Sequence, residues 1–514
     1  MSSDHCPHPR LTGMKLAITA LALALGTFMQ VLDTTIANVS LTTIAGNLGV
    51  SADTGTWVIT AFAVANGVGV PLTGWLMQRF GVVRTFVGSV LLFTAASFLC
   101  GIAWNLTSLI VFRVLQGAVS GPLIPGSQAL LIMVFPTERR AAALGIWSMT
   151  TLVGPIIGPI LGGYISDNYH WGWIFLINIP FGLIAGAICW FNLKDRETEV
   201  KKLPIDVTGL LLLIFWVGAL QIALDLGKNA DWFNSSSITI LLVLAAVGFV
   251  VWAIWELTDE HPIVDLSLFK HRNFVLGTVP ICVGYALMFA TILLLPMWLQ
   301  QQLGYTATWA GLVSAPSGVV AVILTPVIAR LSAKIDARLI ASFCLAALAA
   351  SFLMRSAYTS SIDYYHLMVP LMVQGVGISG FFISLVAISI DGIPERRLPA
   401  ATGLNNFARI IAGSFAASIA TTVWDRREAL HQARLADAPN PFSVPFAQVA
   451  GRLSGHGLSE LQTAALVTRR MIGEAYLLAV DDIFWWCGWA TIALILLVWM
   501  ARRPAPATGP IAAD

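Results

Sequence analysis

The chain has 514 residues, of which 57% are hydrophobic and only 11% are charged, and its mean hydropathy is +0.79. A soluble globular protein carries about 25% charged residues, so this composition excludes one and points to a bilayer. The net charge of +2 is too small to argue for nucleic acid, and six scattered cysteines without a CxxC or a histidine partner at ligand spacing argue against a metal site.

Apolar runs occur at about 16–40, 55–77, 84–104, 106–134, 141–164, 172–193, 206–227, 236–257, 274–299, 307–330, 338–356, 364–391, 399–424 and 480–501. Each is long enough to cross ~30 Å of hydrocarbon as a helix. The first is too long for the apolar core of a signal peptide and is read as a retained span. The expected fold is therefore an all-α membrane protein with 14 transmembrane helices.

Basic residues set the orientation. With the N-terminus inside, nineteen Lys and Arg fall in the inner loops and tails, among them Arg79, Arg84, Arg139, Arg140, Arg338 and Arg397. Only Lys228 and Arg355 fall in the short outer loops. Positive charge is retained on the cytoplasmic side, so both termini are expected there. A longer outer segment, 425–479, carries six further arginines and a Pro-rich centre, DAPNPFSVP, between flanks that read as amphipathic helices.

The inner turns GWLMQRFGVVRTF and ARLSAKIDARLI have basic residues at matching offsets. Taken as equivalent, they divide the chain into a six-helix bundle at 1–202, an inserted pair at 203–262 and a second six-helix bundle at 263–514. Two parallel halves with a site between them is a known transporter plan.

Within the first run the single ionisable side chain is Asp33. A carboxylate at that depth costs several kcal/mol unless it is paired, wetted or protonated. Arg113 in the fourth run lies at a similar depth, roughly 10–12 Å from the outer ends by the helical rise. The two are expected to form a switchable ion pair, in which apolar surroundings favour the neutral acid and the guanidinium favours the carboxylate. A static pair fixing helix register is the bland alternative. The proton scheme further requires Asp33 to reach a hollow rather than lipid.

Span five contains GPIIGPILGG, with Gly154, Pro155, Gly158, Pro159, Gly162 and Gly163. Glycines at 154, 158 and 162 share a face that admits another backbone closely, and the prolines remove two donors in mid-membrane. Phe62, Asn66, Gln116, Gln374, Phe381, Asn406 and Arg409 fall inside spans and are candidates to line a substrate cavity. Arg409 has no acidic partner in sight and is a candidate contact for an anionic substrate. Asp225, Glu256 and Asp391 lie near helix ends and read as structural, and the Trp171–Trp173 and Trp485–Trp486 clusters as an interfacial belt.

GxxxxGK[ST], HExxH and nucleophile-elbow motifs do not occur in the sequence, so no cofactor or catalytic group is expected and an ion gradient is the energy source. An importing symporter and a membrane-embedded lipid enzyme are the competing readings.

LDTTIANVSL, FRVLQGAVSGPLIP and LVGPIIGPILGGYISD resemble the signatures of spans one, four and five in the fourteen-span drug:proton antiporters of the major facilitator superfamily. GTWVITAFAVAN, PLTGWL, GPILGGYISDNYHWGWIF, WELTD, HPIVDLSLF and GYTATWAGL are similar to runs in the EmrB multidrug exporters. The resemblance implies proton-driven export of amphipathic drugs, uncouplers or fatty-acid-like compounds by alternating access. It also implies a bacterial inner-membrane protein working with an EmrA-like periplasmic adaptor and a TolC-like outer-membrane channel, with 425–479 as the docking element. One departure stands out. The loop between spans two and three has Gln78 where the superfamily usually has an Asp.

Overall fold

The computed structural model describes residues 11–50, 52–136, 139–198, 200, 204, 206–260, 262–305, 307–332, 334–394, 397–436 and 459–503, without some side chains inside helices. Fourteen helical spans follow one another: α1 (Gly13–Val39), α2 (Trp57–Gly69 and Thr73–Phe80), α3 (Val82–Gly101), α4 (Leu106–Ser120 and Leu123–Val134), α5 (Arg140–Asn168), α6 (Asn178–Leu193), α7 (Val207–Gly227), α8 (Ser236–Thr258), α9 (Arg272–Gln301), α10 (Ala307–Ser332), α11 (Ala337–Arg355), α12 (Tyr364–Ile390), α13 (Leu398–Ala436) and α14 (Glu460–Trp499). Hydrocarbon offers the backbone no partners, so long apolar runs close their hydrogen bonds internally as helices.

The ends are set by local chemistry. Asn105 and Ser459 make reciprocal capping boxes at α4 and α14, and Asp206, Asp336 and Asp363 cap α7, α11 and α12. The two segments of α2 are bent by 56° where Pro71 interrupts the run. Gly81 turns the chain from α2 into α3 at φ 94°, a left-handed conformation that a β-carbon would strain.

The fourteen positions match the apolar runs, but the last two helices do not stop at the membrane. α13 has 39 residues and α14 has 40, so each is close to 60 Å long, about twice the hydrocarbon thickness. The flanks of the polar segment are thus continuous with the spans. Asp482 joins the two through Arg427 and His431. The Pro-rich centre, DAPNPFSVP, lies outside the described residues.

α1 packs on α4, α5 and α6, and α2 on α4. Correspondingly, α9 packs on α12, α13 and α14, and α11 on α12 and α14. The inserted α7 and α8 pack on each other around Trp216, Trp252 and Phe249. α7 then touches α2, where Val217 meets Gly67, and α13, where Gln221 Nε2 donates to Ser414 Oγ at 3.0 Å. α8 turns Ile240, Val243, Val247, Val250 and Ile254 outward, as a lipid-facing helix does.

The seam between the first and second six helices runs through α5–α10, α5–α12, α2–α13 and α4–α13. Gly74 lies against Ala400, Gly145 against Thr325 and Ala329, and Asn406 Nδ2 donates to Gln128 Oε1 at 2.8 Å. These contacts come from the half of each helix nearest the face that carries Arg79, Arg84 and Arg397, called here the basic face.

Two expectations are corrected. Arg355 is the last residue of α11 and fully buried, not an outer-loop charge, because Ser351 and Gln374 supply it with acceptors. Trp171 is buried against Phe175 and only Trp173 is exposed as a belt residue would be.

Candidate functional site

The polar centre of the first half is built from five helices. Asp33 comes from α1, Ser97 and Cys100 from α3, Arg113 and Gln116 from α4, Asn178 from α6, and α2 lends the Val58 carbonyl. Arg113 Nη1 donates to Asp33 Oδ2 at 2.5 Å and to Gln116 Oε1 at 2.7 Å, while its Nε donates to Val58 O at 3.1 Å. Asp33 Oδ1 accepts from Gln116 Nε2 at 2.9 Å and from Asn178 Nδ2 at 3.1 Å. Ser97 Oγ accepts from the same two amides at 2.7 and 3.3 Å. Phe62 covers the guanidinium, its ring centroid 4.2 Å away, and Phe175 lies at 5.4 Å.

The depth argument from sequence thus brings together the right two residues. It missed Asn178 and Ser97, whose polarity at or inside a helix carries no pairing signal of its own. The requirement that Asp33 reach a hollow is not met in this conformation. Asp33 and Arg113 are each 1% exposed, because Gln116, Asn178 and Phe62 close around them. They face neither lipid nor water.

Such a cluster is suited to a carboxylate that changes charge. Two buried charges are tolerable when paired and hydrogen-bonded. If the acid is neutralised, Arg113 keeps Gln116 Oε1 and Val58 O as acceptors but loses its counter-charge, which makes the protonated state costly in this enclosure.

The glycines of span five pack against α1 on the face opposite this acid. A β-carbon on Gly154 would come within 2.5 Å of Val31, one on Gly158 would run into Thr35, and one on Gly162 would approach Ile36 O at 3.2 Å. Three glycines on one face thus hold α5 against the α1 turn bearing Asp33. Gly163 meets nothing within 4 Å and does not belong to that contact. Pro155 and Pro159 continue the same helix, but their side chains lie outside the described residues.

The candidate cavity residues separate into groups. Phe62 and Gln116 belong to the Asp33 cluster. Asn66 Nδ2 donates to Ser120 Oγ at 2.7 Å, tying α2 to α4. Gln374 accepts from Arg355 Nη2 at 2.9 Å inside the second half. Phe381 packs on Phe382 with ring centroids 5.0 Å apart. Asn406 and Arg409 lie at the seam, with Arg409 Nη2 donating to Asn406 Oδ1 at 2.9 Å. All seven are buried in this conformation.

At the basic face, a carboxylate caps the helix that follows the turn after Gln78. Glu197, just beyond α6, accepts the Val83 and Arg84 N–H groups at 3.0 and 2.9 Å, at the positive end of α3.

Residues 23–417 match the family profile of the Major Facilitator Superfamily. The chain is 48% identical over 501 residues to the multidrug export protein EmrB of Escherichia coli (strain K12), covering 97% of this chain and 98% of that one. It is 45% identical over 497 residues to the fatty acid resistance protein FarB of Neisseria gonorrhoeae, with coverage of 97% and 98%. The probable multidrug resistance protein EmrY of Escherichia coli (strain K12) is 44% identical over 503 residues, again at 97% and 98%. Among solved structures, the human organic anion transporter MFSD10 superposes with a TM-score of 0.57 at 12% identity, over 95% of this chain and 100% of that one. That last likeness concerns the fold alone.

Proposed function

The chain belongs to the major facilitator superfamily and, within it, to the EmrB-type multidrug exporters, and from that premise we propose that protons drive its efflux through Asp33. The protein is a multi-pass transporter and not an enzyme. The finer reading is that the bundles 1–202 and 263–514 rock about the seam, with the pair 203–262 inserted between them. Proton binding at Asp33 and substrate binding exclude one another.

The observation that supports this reading is the ion pair itself, a carboxylate and a guanidinium from two different spans meeting inside the first bundle. In the present arrangement Asp33 is buried, so proton exchange requires Gln116, Asn178 and Phe62, which close around the pair, to move apart. Chemistry and conformation are thereby coupled: the proton is gained or lost only as this enclosure opens. A charge moved across the membrane supplies ~2.3 kcal/mol per 100 mV, and a pH gradient adds to it.

On this reading the basic face is cytoplasmic, the membrane is the bacterial inner membrane, and the long ends of α13 and α14 stand in the periplasm. There the 425–479 segment docks an EmrA-like adaptor leading to a TolC-like channel. Drug-dependent proton release from vesicles tests the coupling: it is expected from the wild type and absent from Asp33→Asn, and its persistence in the variant rejects the role of Asp33. Adaptor capture by a chain lacking 425–479 would reject the docking assignment.

A further inference from the structure

A cation without an acid sits on the seam. Arg409 lies eleven residues into α13, roughly 16 Å from the basic face and so near the middle of ~30 Å of hydrocarbon. It is 5% exposed. Its Nη2 reaches Asn406 Oδ1, and its Nε has no hydrogen-bond partner. Among the described residues no carboxylate pairs with it. What surrounds the guanidinium instead is aromatic: Tyr285 of α9 at 4.9 Å, Phe382 of α12 at 5.4 Å and Trp147 of α5 at 5.8 Å from the ring centroids.

The contrast with Arg113 is informative. That arginine, also inside the membrane span, is neutralised by Asp33 and anchored to a backbone carbonyl inside one bundle. Among the described residues Arg409 has one amide oxygen for its five donors, and one wall of its enclosure, Trp147, comes from the other half of the molecule. Ring faces hold a bare cation but leave its hydrogen-bonding edge unspent. When the seam parts, Trp147 withdraws and that edge is offered to whatever occupies the gap. An anion replacing a ring strands no carboxylate, as breaking a salt bridge would.

We propose that Arg409 receives the head group of amphipathic organic anions, with the apolar body of the cargo lying on Tyr285, Phe382 and Trp147. A planar guanidinium matches a carboxylate in two parallel hydrogen bonds, and the free Nε is on the edge that makes them. This assignment rests on the reading of the seam as the substrate route, and names the cargo that route selects.

The test is equilibrium binding to the purified full-length protein in nanodiscs, with no gradient applied, using three ten-carbon probes: decanoate, decanol and decyltrimethylammonium. The wild type is expected to bind decanoate at least tenfold more tightly than decanol. Arg409→Gln is expected to lose at least tenfold for decanoate and to keep decyltrimethylammonium within twofold. Arg409→Lys, which preserves the charge, is expected to keep a preference for decanoate over decanol, and carries the test if Arg409→Gln does not fold. A wild type that does not discriminate, an Arg409→Gln protein that weakens on all three probes alike or on none, or an Arg409→Lys protein without preference would each overturn the proposal. Since no gradient enters, failure of proton coupling at Asp33 leaves this outcome unaffected.

Discussion

Thr35 of α1 and Gly154 of α5 are joined across two helices: the Thr35 hydroxyl donates to Gly154 O at 3.3 Å. The contact forms two residues from Asp33 and needs the bare face of Gly158, against which Thr35 also lies. Position along α5 should therefore decide how a side chain is tolerated. Gly158→Leu is expected to force the helices apart, lowering stability by about 1–3 kcal/mol and abolishing drug efflux. Gly163→Ala, with open space around it, is expected to leave both unchanged. Thermal unfolding and a drug-accumulation assay on the two variants check this.

The Asp33–Arg113 pair predicts strong non-additivity. Arg113→Ala leaves a buried carboxylate with amide donors only, and is expected to cost about 3–5 kcal/mol. The double variant Asp33→Asn/Arg113→Gln removes both charges and is expected to be more stable than Arg113→Ala alone, while remaining inactive in transport. Unfolding measurements on the single and double variants separate the structural cost from the functional one.

Arg355 is buried with Ser351 Oγ at 3.1 Å and Gln374 Oε1 at 2.9 Å, the rings of Phe352 and Phe484 covering it at 5.2 and 5.1 Å. Its Nε and Nη1 and the Gln374 amide nitrogen have no partner. A desolvated charge so held is replaceable by apolar volume. Arg355→Met/Gln374→Leu is expected to unfold at a higher temperature than Arg355→Met, which leaves Gln374 unsatisfied. The order of the two transition temperatures is the measurement.

At the basic face, hydrogen bonding from Arg338, aided by Arg503, holds the Asp336 carboxyl below its ordinary value of 3.8. A group depressed by folding contributes stability that is full above its unfolded value and fades as the pH falls through the folded one. Acid unfolding below about pH 4 should therefore include the release of this contact. Asp336→Asn is expected to lower the transition temperature at pH 6 and to narrow its gap from the wild type as the pH approaches 3. Because Arg503 is largely exposed, salt should screen part of the effect.

The positions of the spans were legible because hydrocarbon imposes one rule on every segment that crosses it. The Asp33–Arg113 contact was legible because equal depth in two helices of one bundle leaves few alternatives for two opposite charges. Arg355 was not: a charge at the end of an apolar run reads as a snorkelling residue, and only the fold brings Gln374 and Phe484 over it. Asn178 was hidden for a similar reason, since an amide near a helix start looks like an end signal. The reach of α13 and α14 past the membrane was underestimated, as a polar helix and a polar loop share a composition. Arg409 was visible as an anomaly, but its three rings come from α5, α9 and α12, and no spacing along the chain links them.

α13 begins at the seam, where Asn406 and Arg409 sit, and continues without a break to Ala436. It is therefore a lever as well as a wall. A rigid rod extending some 30 Å beyond the bilayer moves at its tip by on the order of 5 Å for every 10° of tilt at its base. A movement of the seam at Asn406 and Arg409 is thereby carried, enlarged, to the far end of the helix.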